Sequence, residues 1–126
     1  MFGLFKKKET KPLYIHAKDV FSIIKLDYED GIAFCLIEFK LDGHIYTMGS
    51  SLHEEGEETK ENIDFVFEDQ TFDSYNQFET GARVNGHSLF ETNPIIEVLR
   101  AGIIDGEAMI KTPWGDTRLA KMALQD

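Results

Sequence analysis

Alternation of apolar and polar side chains is clearest over residues 32–48, IAFCLIEFKLDGHIYTM. Ala33, Cys35, Ile37, Phe39 and Leu41 make one unbroken apolar face. Ile32, Phe34 and Leu36 cover the other until Glu38 and Lys40 return it to water. A period of two marks a β-strand, and a strand apolar on both faces in its early half belongs in the middle of a sheet. Asp42-Gly43 suits a two-residue hairpin turn. After it, His44, Tyr46 and Met48 alternate with Ile45 and Thr47 on a returning strand.

The same pattern extends upstream. LYIHA at 13–17 is a short strand, and VFSIIKLDY at 20–28 reads as a longer one. Val20, Ile24, Leu26 and Tyr28 lie on its core face with Ser22, and Phe21, Ile23, Lys25 and Asp27 face away. Glu29-Asp30-Gly31 is a tight turn signal. Residues 20–28, 32–41 and 44–48 are thus expected to form a three-stranded meander. Downstream, IDFVFE at 63–68 is a strand with Ile63, Phe65 and Phe67 on one face and Asp64, Val66 and Glu68 on the other.

The period then changes. Tyr75, Phe78 and Ala82 are spaced three and four apart, Asp73 or Ser74 can cap a helix, and Phe72 is placed to staple onto its first turn. Asn85-Gly86 is a turn and Ser88-Leu89-Phe90 a short helical turn. Asn93-Pro94 reads as a helix start, with Ile95, Ile96, Val98 and Leu99 as its apolar stripe and Gly102 as its stop. A last hairpin centres on Asp105-Gly106, followed by a turn at Pro113-Trp114-Gly115-Asp116. Residues 117–124 suit a helix better than a strand. The predicted fold is α+β: an antiparallel β-meander sheet of about five to six strands packed by two or three short helices. At 126 residues the chain fits one domain, 13–126, preceded by a flexible basic arm, 1–12.

Charge sharpens this picture. The net charge is −10, but Lys6, Lys7, Lys8 and Lys11 against Glu9 leave the arm at +3 and residues 13–126 at −13. A body this acidic repels nucleic-acid backbones and attracts a basic protein or cations. Residues 49–62 carry Glu54, Glu55, Glu57, Glu58 and Glu61 against Lys60 and read as a long solvated loop. Phe2, Leu4 and Phe5 beside the lysines allow weak contact with an anionic membrane surface. No run approaches the roughly 18 apolar residues of a membrane span. The order apolar-then-lysine is the reverse of a secretory signal peptide. Cys35 is the only cysteine, so no internal disulfide or cysteine-based zinc site is expected, and a reducing cytoplasmic setting fits.

Motifs for catalysis are absent from the sequence. There is no GxGxxG, GxxxxGK[ST] or GxSxG. His16, His44, His53 and His87 form no HxH or HxxxH pair, although His16 and His44 lie on candidate strands that could meet across the sheet. The glutamates at 54–58 lack the alternate ligand spacing of a calcium loop. Glu38 and Asp64 are the carboxylates nearest the sheet core, but nothing splits their environments as acid–base work requires. The sequence thus points to a non-enzymatic acidic protein that engages a basic protein partner, as an immunity protein, antitoxin, other inhibitor or adaptor does, without a cofactor or metal. The partner-binding candidates are Glu54, Glu55, Glu57, Glu58, Glu61 and Asp64, with Trp114 as an aromatic anchor. The alternative is a small-molecule-binding or enzymatic α+β domain with a phenylalanine-lined pocket.

Overall fold

The structure, a computed structural model, describes residues 13–33, 35–52, 60–104 and 107–108. It begins with strand β1 (Leu13–His16), which runs straight into helix α1 (Ala17–Glu29). The expected strand at 20–28 is therefore helical. Ala17, Val20, Phe21, Ile24 and Tyr28 form one stripe at helical spacing. Phe21 and Ile23, which alternation assigns to the wet face, are fully buried, and Leu26, assigned to the core, is half exposed. The β-branched residues imitate a strand, but packing selects the 3.6-residue period.

Both ends of α1 are closed by hydrogen bonds. At the C-terminus Gly31 has φ +75°, its N–H donates to the Tyr28 carbonyl at 2.9 Å, and the Ile32 N–H donates to the Asp27 carbonyl at 2.8 Å. That is a Schellman motif, so Glu29-Asp30-Gly31 ends a helix and does not turn a hairpin. At the N-terminus His16 gives no side-chain cap. The cap arrives from 75 residues away: the Lys18 N–H donates to Asn93 Oδ1 at 2.9 Å and the Ala17 N–H to the Pro94 carbonyl at 2.8 Å.

Strands β2 (Cys35–Leu41) and β3 (His44–Leu52) form the expected hairpin, with Asp42 and Gly43 at φ +53° and +83°. A 3₁₀ turn (Lys60–Asn62) leads into β4 (Ile63–Phe67), and β5 (Gln70–Phe72) pairs back onto it. Helix α2 (Tyr75–Gly81) follows, its Gln77 N–H donating to the Ser74 hydroxyl. A small hairpin of β6 (Arg83–Val84) and β7 (His87–Ser88) turns at Asn85-Gly86, and α3 (Leu89–Thr92) is one short turn. Strand β8 (Ile95–Ala101) then enters the sheet, before a pair of two-residue strands, β9 (Ile103–Ile104) and β10 (Glu107–Ala108).

The expected helix at 95–99 is thus a strand. Ile96 and Val98 point into the core with no exposure, a period of two. Asn93-Pro94 does carry a cap signal, but the helix it caps is α1. The six-stranded antiparallel sheet has the order β1-β8-β2-β3-β4-β5. From β2 to β5 it is a meander. The neighbour of β2 on its other side is β8 from the far end of the chain, where a local hairpin with 20–28 was expected.

The described residues form one α+β domain with all three helices on one face of the sheet. Phe65 lies 5.5 Å from Phe78, 5.2 Å from Tyr28 and 5.8 Å from Tyr75, and Phe78 lies 4.9 Å from Phe21. Sheet, α1 and α2 therefore meet in one aromatic cluster, where offset and edge contacts add to the burial of large apolar area. The phenylalanines pack on one another there. The other sheet face carries Tyr14, Ile45 and Ile95, each about half exposed. It also carries Arg100, which forks onto Glu38 through Nε–Oε1 at 3.1 Å and Nη2–Oε2 at 3.2 Å. A register shift between Glu38 and Phe39 brings those two side chains opposite one another. The arm 1–12, the loop 53–59, the turn at 105–106 and the expected turn and helix of 113–124 lie outside the described residues.

Candidate functional site

At one end of the sheet α1 terminates beside the strand ends that flank residues 53–59. Tyr28, in the last turn of α1, packs its ring on Phe65 of β4, and Lys60 Nζ lies 5.7 Å from the Tyr28 ring centre. Leu52 and Ile63, which bracket the 53–59 loop and the 3₁₀ turn, are cross-strand partners. The described residues that flank the glutamate-rich segment 53–59 therefore lie where α1 ends. Asp27, Glu29 and Asp30 close that helix with no basic residue in its last turn, and Glu29 and Asp30 are exposed. The carbonyl end of a helix already carries partial negative charge, so carboxylates there oppose the local field. The nearby ammonium groups sit over aromatic faces, Lys60 on Tyr28 and Lys25 on Tyr75 at 5.4 Å.

Of the sequence-derived candidates, Glu61 is exposed in the 3₁₀ turn at this end. Asp64 is half-buried on β4 opposite Ser51. Glu54, Glu55, Glu57, Glu58 and Trp114 lie outside the described residues. Asp27, Glu29 and Asp30 were hidden by the strand reading of 20–28. Gly31 just past a stripe at 17, 20, 21, 24 and 28 is the signal that finds them.

Other candidate groups separate. His16 and His44 do not meet, because β8 and β2 lie between their strands, three strand spacings or roughly 14 Å. Among the described residues no three His, Cys, Asp or Glu side chains cluster to hold a metal. Glu38 is engaged by Arg100, and β3 stands between it and Asp64. Ser88 is structural: its hydroxyl donates to the Glu79 carbonyl at 3.1 Å and accepts from the Glu91 N–H at 3.2 Å, joining α2 to α3. Burial pushes the Tyr75 phenol up, and a hydrogen bond to Glu79 together with its negative charge adds to the shift.

At the opposite end of the sheet an open groove of about 260 Å³ runs between the β2–β3 turn, the β6–β7 hairpin and α3. Leu41, Val84, Leu89 and Pro94 make its apolar floor, and Asp42, Asn85, His87 and Thr92 its polar rim. No described helix is long and apolar enough to cross a membrane. No family model, curated protein or solved structure matches this chain.

Proposed function

We propose that this acidic α+β domain is a non-enzymatic binding protein that engages a basic protein partner through the end of the sheet where α1 terminates, in the manner of an inhibitor, immunity protein or adaptor. The observation that carries the reading is the end of α1, where the only charged side chains are carboxylates and the last turn holds no basic residue. The exposed Glu29 and Asp30 stand against the helix's own field, beside Leu52 and Ile63, which flank the glutamate-rich segment. Carboxylates placed where they weaken their own helix are a local violation of the kind found at functional surfaces. A concentrated negative end accelerates encounter with a cationic partner and fixes its orientation.

The test separates stability from binding. Glu29→Lys with Asp30→Lys complements the helix end and should stabilise the fold by about 0.3–1 kcal/mol per charge. The same variant should lose a basic protein that the wild-type chain retains from its native cell extract. Glutamine at Glu54, Glu55, Glu57, Glu58 and Glu61 should act in the same direction, and raised salt should elute the partner. A partner held equally well by both variants would sink this reading. Thermal stabilisation by a small metabolite with no protein partner would favour the pocket alternative.

A further inference from the structure

We infer that the groove between the β2–β3 turn and the β6–β7 hairpin receives the side chain of a lysine on a protein partner. The inference deepens the binding reading and rests on it, but it concerns a different surface. Nine residues of β3 separate the two ends of the sheet, roughly 27 Å at strand rise.

Size is the first argument. Small-molecule sites usually enclose about 300–1,000 Å³. This groove, about 260 Å³ and open to solvent, accepts one long side chain more naturally than a cofactor. Chemistry is the second. Leu89 is buried at its floor, flanked by half-buried Leu41, Val84 and Pro94. That floor suits the methylene stem of lysine, which lies along apolar surface while its ammonium stays at a wet rim. Charge is the third. Asp42 is the one carboxylate among the residues lining the groove, no lysine or arginine lines it, and it stands on a chain of net charge −10. Lys40 alternates onto the open sheet face, and Arg83 Nη1 donates to the Gly86 carbonyl at 2.8 Å.

The geometry is also fixed in advance. Asp42-Gly43 and Asn85-Gly86 are both two-residue turns with positive φ, from +53° to +83°. Such turns hold their hairpins in one register. The rim therefore keeps its shape without the partner, and little ordering entropy is lost on docking.

The experiment is an amide NMR titration of the full chain with Nα-acetyl-lysine methylamide, against the norleucine analogue that lacks the ammonium. The lysine probe should shift the amides of Leu41, Val84, Leu89 and Thr92 saturably, and the norleucine analogue should bind more weakly. Asp42→Asn keeps a residue that tolerates positive φ, so the hairpin survives. Loss of an exposed ion pair should then weaken the lysine probe about two- to fivefold. Equal binding of the two probes, no effect of Asp42→Asn, or shifts elsewhere would overturn the inference. Tighter binding of 1,5-diaminopentane than of the lysine probe would also overturn it, by making a free amine the ligand. The Glu29→Lys/Asp30→Lys variant should leave the probe's affinity unchanged, so failure of the acidic-end reading and failure of the groove are told apart.

Discussion

Asn93 holds two conformational tasks at once, and its replacement dissects them. Its backbone is left-handed, with φ 47° and ψ 54°, where it ends α3. Its side-chain oxygen accepts the Lys18 N–H and so caps α1. Asn93→Ala removes both advantages. The lost cap costs about 1 kcal/mol, and a Cβ-bearing residue without a polar side chain in the left-handed region costs about 1 kcal/mol more. Asn93→Gly loses the cap alone, about 1 kcal/mol, since glycine accepts positive φ freely. Asn93→Asp keeps the acceptor and brings a charge to the positive end of α1, so its stability should lie within about 0.5 kcal/mol of wild type. Urea unfolding followed by far-ultraviolet circular dichroism reads all three. At a common slope of about 1–3 kcal/mol per molar, the alanine midpoint should fall by roughly 1 M and the glycine midpoint by about half of that. An alanine variant as stable as wild type would refute the assignment. A glycine variant as unstable as alanine would remove the left-handed contribution.

Three further outcomes follow from the core and its edges. Phe78 is fully buried against Phe21, Phe65 and Tyr75, so Phe78→Ala should cost about 3–5 kcal/mol in the same unfolding assay; a loss below about 1 kcal/mol would contradict the aromatic cluster. Gly81→Ala improves helix propensity, yet a Cβ there would stand 2.5 Å from Cε1 of Phe72, so it should lower stability by about 1–3 kcal/mol, and a raised melting temperature would show that Phe72 yields freely. The Tyr75 phenol, raised in the folded state, contributes stability that is present below the unfolded value of about 10 and lost as pH climbs above it. Tyr75→Phe should flatten that alkaline decline between about pH 10 and 12, and an unchanged slope would show that the phenol is not the group responsible.

Several elements were legible because local chemistry alone specifies them. Asp42-Gly43 and Asn85-Gly86 adopt the positive φ angles that those pairs favour, and Ser74 and Ser88 cap the helical turns that follow them. Ile63, Phe65 and Phe67 face the core as their alternation requires. The acidic balance of residues 13–126 was equally readable, since charge needs no fold to be counted.

What tertiary structure decided is the type of two ambiguous apolar runs and everything that depends on them. VFSIIKLDY and IIEVL each satisfy both periods in part, and both are rich in β-branched residues. The choice comes from partners distant in the chain. Residues 17–29 are helical because Asn93 and Pro94 close their N-terminus and because Phe78 and Phe65 receive Phe21 and Tyr28. Residues 95–101 are a strand because β1 and β2 offer backbone groups on both sides, which no helix could satisfy. Once 20–28 is a helix, Asp27, Glu29 and Asp30 fall at its end. The sign of the charge was set by composition, while the placing of Glu29 and Asp30 at a helix end depends on a helix whose cap is supplied from 75 residues away.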